Sequence, residues 1–199
     1  AITGRAPYCG LHVAANRAGE IVFDVKDFPS RTDDRDLHFA SLGLLIGELA
    51  GTRIPVITGL PLDTNEDELK ALGAAAATTG AVALFHAVGI TPEAPTLEVA
   101  LAGQAQSKAA SSADRARSNE ASSNHPGGHP DADQVATRIT LTRAQLNAVR
   151  GRLGQAKPGD RIAAVSVGTP HFSLSEFARL QHLLDAMVKT KPGKETGLA

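Results

Sequence analysis

Ile54-Pro55-Val56-Ile57-Thr58, the break Gly59-Leu60-Pro61, an Ala-rich stretch from Thr64 to Thr79 and the apolar run Ala81-Val82-Ala83-Leu84-Phe85-His86-Ala87-Val88 decide the fold. The first run reads as a buried strand, with Pro55 at its first residues or on an edge, because proline cannot donate to a ladder. Thr64 with Asp67 forms a capping pattern for a helix of high intrinsic propensity, and Gly80 ends it. The last run has the pattern of a strand covered on both faces. Outward from this unit, Ile21-Val22-Phe23-Asp24-Val25 is β-prone. From Asp34 onward, Phe39, Leu42, Leu45, Ile46 and Leu49 share one helical face, with Asp33 and Asp34 at its positive end and Gly51 at its exit. Strand, helix, strand, helix, strand predicts an α/β fold, a parallel or mostly parallel sheet with crossover helices.

Beyond this point Thr91-Pro92-Glu93 reads as a helix start with proline in the first turn. Residues 104–134 are rich in Ala, Ser, Asn, Gly, Pro and Asp without apolar periodicity, the signature of a disordered insertion. Its His125 and His129 lack a third ligand and make a poor metal site. Ile139-Thr140-Leu141 resumes regular structure, and Thr142 caps a helix to about Leu153. Ile162-Ala163-Ala164-Val165-Ser166-Val167 then predicts a strand, followed by Gly168-Thr169-Pro170-His171-Phe172-Ser173 and a helix from Ser173 to about Thr190. Ser173 with Glu176 forms a capping box, and Phe177, Leu180, Leu184 and Met187 fall on one stripe. The chain therefore divides into residues 1–103, the first part of an α/β domain, the insertion 104–134, and its continuation over 135–199.

The 199 residues carry a formal net charge of −1, 42% hydrophobic and 21% charged residues, no Trp and one Tyr. Lys and Arg are scattered, so no electrostatic footprint for nucleic acid or an anionic membrane is present. No apolar run has the length of a membrane span and no signal segment opens the chain. One cysteine, Cys9, excludes an internal disulfide and fits a reducing cytoplasm. A cytoplasmic location is expected.

Three polar clusters can carry chemistry. Thr3-Gly4-Arg5-Ala6-Pro7-Tyr8-Cys9-Gly10-Leu11-His12 offers Arg5, a two-point holder of carboxylate or phosphate, or else a surface ion pair. In the same stretch Cys9 is a metal ligand or a structural thiol. His86 sits in an apolar strand, as a core histidine or an acid/base group. Thr169, His171 and Ser173 follow a strand, where ligands of open α/β sheets collect, and His171 suits proton transfer near neutral pH. Gly-x-Ser-x-Gly, His-Glu-x-x-His, Cys-x-x-Cys and the Walker phosphate loop are all missing.

Gly4-Arg5-Ala6-Pro7-Tyr8-x-Gly10-Leu11-His12, Ile54 to Pro61, Asp67-Glu68-Leu69-Lys70-Ala71-Leu72-Gly73-Ala74, Gly80 to Ala94 and Gly168 to Ser173 resemble, in order, blocks of the aconitase X family. The resemblance implies the catalytic domain of a hydro-lyase of the aconitase superfamily, with iron as Lewis acid, commonly in an iron–sulfur cluster. Bacterial members resemble cis-3-hydroxy-L-proline dehydratases and archaeal ones dehydrate mevalonate 5-phosphate. The Ala- and Arg-rich composition favours the former. It further implies His86, His171 and Ser173 as catalytic residues, Arg5, His12 and Thr169 as substrate contacts and Cys9 as a metal ligand. Arg5, His86 and His171 are expected to converge on one cleft at the sheet tips. Several cysteines are needed for a cluster, so the remaining ligands, and a smaller swivelling domain, are expected outside this segment. The chain then reads as a fragment of a longer enzyme. A truncated, non-catalytic interaction piece is the alternative.

Overall fold

The computed structural model describes residues 4–5, 7–26, 35–102, 137–154, 157, 159–161, 163–166 and 171–189. They fall into two units, Ala1–Gln155 and Ala156–Ala199. The insertion 104–134, with His125 and His129, lies outside the described residues, as does Thr169.

The first unit is built on four parallel strands, β1 (Ile21–Asp24), β2 (Pro55–Thr58), β3 (His86–Ala87) and β4 (Thr137–Thr140), in the order β3-β2-β1-β4. Pro55 opens β2, where its missing N–H costs no ladder bond. Helix α1 (Arg35–Ala50) joins β1 to β2, and α2 (Glu66–Gly80) joins β2 to β3. Both cover one face, where Ile21, Phe23, Val25 and Ile57 are buried against Phe39, Leu42, Ile46, Leu72 and Ala76. A further helix, α3 (Arg143–Arg152), adds Leu146 and Val149 to that core, and its Arg152 bonds Glu48 of α1 at 2.9 Å. Val22 and Val56 point to the other face, under Ala94 and Ala100 of the chain leaving β3. The Gly19 N–H, donating to the Ala100 carbonyl at 2.8 Å, pins that segment. Because β4 lies on the far side of β1 from β3, the chain must reverse its direction of travel. As far as residue 102, the chain leaving β3 runs on the opposite face.

Four local expectations shift. The cap of α2 is Asn65 with Glu68, in a reciprocal capping box, rather than Thr64 with Asp67. Thr64 instead donates its hydroxyl to the Pro61 carbonyl at 2.6 Å, closing the preceding turn. The strand expected over Ala81–Val88 shortens to His86–Ala87. Ala81 is consumed as the left-handed C-cap of α2, and β3 can pair only where the four-residue β2 offers partners. Thr91-Pro92-Glu93 forms a turn, with the Thr91 hydroxyl bonded to Ala87, and helix begins only at residue 97. Ala163, Ala164, Val165 and Ser166 form no strand, and all four are exposed. A strand needs a neighbour for its ladder, and none pairs with them among the described residues.

In the second unit, α4 (Leu174–Lys189) starts where the sequence places it. The Ser173 N–H donates to Glu176 at 2.7 Å, and the Glu176 N–H donates to the Ser173 hydroxyl at 3.2 Å. No helix among the described residues is long and apolar enough to cross a membrane.

Glycines set the distance between α1 and α2. A Cβ on Gly47 would lie 2.5 Å from the Ala76 carbonyl oxygen and collide with the Thr79 hydroxyl, while Gly43 faces Leu72 and Ala75. Gly47→Ala is expected to destabilise the unit by about 1–3 kcal/mol through overpacking, although it raises helix propensity. Gly151→Ala, with open space around it, should be neutral or slightly stabilising. Urea unfolding followed by circular dichroism distinguishes the two.

Candidate functional site

Parallel strands end together, and the carboxyl ends of β1, β2 and β4 carry the polar groups of the first unit. In register, Thr140, Asp24 and Thr58 form one row across three strands. Alternation along each strand places this row on the same face as Val22 and Val56, one step nearer the carboxyl end. Asp24 shows 15% of its side chain to solvent, and its carboxylate lies 3.4 Å from Lys26 Nζ and 3.5 Å from Thr58 Oγ1. That hydroxyl also lies 3.3 Å from the Phe23 carbonyl, and it has a single proton to give. The chain leaves β2 through Gly59 at φ +84°, where a Cβ would stand 2.6 Å from the Val25 carbonyl. Only glycine lets the two strand exits run this close.

At the same end of the sheet, the starts of α1 and α2 are tied by Arg35. Its guanidinium bonds both carboxylate oxygens of Asp63, at 2.9 and 3.1 Å, and forms a closer ion pair with Glu68, which is only 4% exposed. Glu68 also accepts from the Asn65 N–H at 2.9 Å, so a buried carboxylate is satisfied by charge and by backbone. The Asp63 hydrogen bond, foremost, raises the Arg35 pKa above its ordinary value; burial opposes this and Glu68 adds to it. The group stays charged at any working pH.

His86 is the first residue of β3, paired with Val56, and so sits one row nearer the amino end than Asp24, on the same face. It is 3% exposed. Its Nε2 lies 2.6 Å from the Arg17 carbonyl, which can only accept, so Nε2 carries a proton. Arg17 Nε donates to the Leu11 carbonyl at 2.6 Å, and its guanidinium pairs with Glu93. Asn16 closes the same loop onto the Gly10 carbonyl at 2.9 Å. The first and second polar clusters are thus joined: His86 and Glu93 hold the two 3-10 turns Gly10–His12 and Ala14–Arg17 through one arginine. Arg5, Cys9 and His12 are exposed on the segment so anchored.

His171 is exposed and Ser173 half-buried in the second unit, where Phe172 packs edge-on against Phe177 at 5.3 Å. The Ser173 hydroxyl caps α4 and lies 2.8 Å from the Ser175 hydroxyl. Among the described residues no three of His, Cys, Asp and Glu stand close enough to hold a metal ion.

Asp24, Thr58 and Arg35 are not among the residues singled out from the sequence. Asp24 stands inside an apolar run, and only the pairing of strands reveals that it belongs to a polar row across three strand ends. The signal available was the carboxylate ending a β-prone stretch.

A four-stranded parallel sheet with crossover helices and a polar row at its carboxyl ends defines the α/β class of domain. The family model for the aconitase X second domain matches residues 19–122. The chain belongs to the aconitase X family. It is 34% identical over 190 residues to a cis-3-hydroxy-L-proline dehydratase of Hypocrea jecorina, covering 95% of this chain and 27% of that protein. It is 36% identical over 194 residues to a phosphomevalonate dehydratase large subunit of Methanothermobacter thermautotrophicus, covering 96% of this chain and 37% of that one. A crystal structure of Thermococcus kodakaraensis aconitase X in its holo form aligns with a TM-score of 0.49 at 27% identity, over 75% of this chain and 29% of that one. The chain thus spans between a quarter and two fifths of the length of these relatives.

His86→Ala is expected to cost about 1–3 kcal/mol, the penalty of leaving the Arg17 carbonyl without its donor. Proteolysis within residues 10–17 should quicken in parallel, which limited digestion followed by mass spectrometry measures.

Proposed function

We propose that the protein containing this chain is a hydro-lyase that eliminates water from a small hydroxy acid, cis-3-hydroxy-L-proline. Family membership supports the reaction class, since relatives named for two different substrates are both dehydratases. Identity does not separate those substrates. The observation that carries the choice is the balance of charge at the strand tips. There Asp24, Asp63 and Glu68 face Lys26 and Arg35, and both cations are already matched by carboxylates. Such an edge suits a substrate bearing an ammonium group better than a phosphate dianion.

Elimination needs a clamp for the substrate carboxylate, a base for the carbon-bound proton and an acid for the departing hydroxide. In this reading Arg5 clamps the carboxylate, with His12 and Thr169 as hydrogen-bonding contacts. His171, at the start of α4, exchanges the proton, with Ser173 beside it. His86 serves the site by fixing the segment that carries Arg5 and His12. The family's iron is a different matter. With one exposed thiol, Cys9, and no convergent set of ligands, the described residues do not themselves make a cluster site. Cys9 contributes at most one ligand to a centre completed by other segments. A smaller domain or subunit closing over the tips belongs to the same reading.

The test uses the protein as its genome encodes it, purified without oxygen. It is expected to release one water per turnover from cis-3-hydroxy-L-proline, followed by mass spectrometry, and to leave mevalonate 5-phosphate unchanged. Turnover of the phosphate alone would establish the archaeal-type reaction instead, and inertness toward both would refute the dehydratase reading. Arg5→Lys should raise KM more than it lowers kcat, because the two-point contact is lost.

A further inference from the structure

The turns that carry the first polar cluster have no hydrophobic anchor. Among the described residues from Pro7 to Arg17 none is buried. Their internal bonds are of turn type, such as those from the His12, Val13 and Asn16 N–H groups to the carbonyls of Cys9, Gly10 and Val13, at 3.2, 3.1 and 3.0 Å. Backbone bonds open to water, without buried apolar contacts, do not hold a segment in place by themselves. Among the described residues, the polar contacts that tie these turns to the rest of the unit all pass through Arg17.

Arg17 uses both its backbone and its side chain. Its carbonyl accepts from Nε2 of His86, the residue that opens β3, at 2.6 Å. Its guanidinium pairs with Glu93, in the turn that leaves β3. That turn is itself fixed: the Thr91 hydroxyl donates to the Ala87 carbonyl at 3.1 Å, and the Gly89 N–H donates to the Ala94 carbonyl at 2.8 Å. The segment is thus referred to both ends of one strand. Arg17 Nε also donates to the Leu11 carbonyl at 2.6 Å, six residues back, and carries that reference across both 3-10 turns toward Cys9 and Arg5. A guanidinium fork makes the two side-chain contacts at once, whereas an ammonium is a point charge without that geometry.

We infer that Arg17 is a positioning residue: it sets where the segment bearing Arg5, Cys9 and His12 stands relative to β3, with Glu93 as its anchor. The inference rests on the hydroxyproline reading above for the role of Arg5, and deepens it. Arg17 does not touch the substrate and acts through the backbone that carries the clamp.

Hydrogen exchange and kinetics test it together in the full-length protein, purified without oxygen. Arg17→Ala keeps the carbonyl that His86 needs and removes the fork. It is expected to speed amide exchange across residues 8–17 about tenfold or more, the loss of a charged hydrogen bond, and to leave Ile21–Asp24 unchanged. Glu93→Gln, at a half-exposed position, should speed the same amides about two- to fivefold, as fits one exposed ion pair. With Arg17→Ala, KM for cis-3-hydroxy-L-proline should rise more than kcat falls. Adding Arg5→Lys should then raise KM little further, because both changes remove the same clamp. KM effects that simply multiply would make Arg17 a structural residue only and overturn the inference, as would unchanged exchange over 8–17. Should Arg17→Ala fail to fold, Glu93→Gln decides, and unchanged exchange there overturns it. A wild type that turns over hydroxyproline with both variants unaltered in exchange loses the role of Arg17 and keeps the reaction. A wild type inert toward hydroxyproline refutes the dehydratase reading, and exchange over 8–17 then decides on Arg17 alone.

Discussion

Everything in the first unit hangs on the double pairing of β1. Four residues, Ile21 to Asp24, hydrogen-bond in parallel register to β2 on one side and β4 on the other. The side-chain period is two, so the register that buries Ile21 and Phe23 under α1 must send Val22 and Asp24 to the opposite face. A slip of one residue would bury the carboxylate in the helical core and expose Phe23. Correct packing of the core and placement of Asp24 in the polar row at the strand ends are therefore one constraint. The chemistry at the tip comes as a consequence of how the hydrophobic residues are spaced.

The helices on the covered face answer a second demand, close approach. Gly43 and Gly47 of α1 meet Leu72, Ala76 and Thr79 of α2 with no room for a methyl group. Helices packed this tightly fix their ends as well as their axes. The Arg35 bridge to Asp63 and Glu68 then locks the two N-termini side by side at the strand tips. Replacing a buried ion pair with apolar groups is often harmless, but removing one partner is not. Here one carboxylate also caps a helix, so the bridge couples the start of α2 to the start of α1.

How far the sequence announced this can be judged element by element. The helix over Arg35–Ala50, the caps at Thr142 and Ser173, and Pro55 as a strand opener were all legible, because each rests on interactions within a few residues. The capping box of α2 was misplaced by one position, since Thr64 and Asn65 are both competent caps and only the turn at Pro61 decides between them. The expected strand at 162–167 had a suitable composition, yet β-structure is a property of pairs, and Val165 is 78% exposed. Long-range facts were out of reach altogether. That β4 adds next to β1 rather than beyond β3 is not written in any local pattern, and without it the row Thr140, Asp24 and Thr58 cannot be drawn. The family resemblance supplied what periodicity could not, membership of the aconitase X family.

The site logic also explains why the histidine that drew attention in the sequence has a supporting place in this reading. His86 occupies the row of Val22 and Val56, which the crossover covers with Ala94 and Ala100, and its Nε2 proton is committed to a carbonyl. A proton donor held on a backbone acceptor under an apolar lid is badly placed for exchange with a substrate. One row further on, where the cover ends, the residues turn polar and the carboxylate appears. The boundary between the two rows is the boundary between the part of the sheet sealed by apolar cover and the part that carries polar side chains. At that boundary stand Thr140, Asp24 and Thr58, a row of polar side chains with no set of three His, Cys, Asp or Glu close enough to hold a metal ion among the described residues.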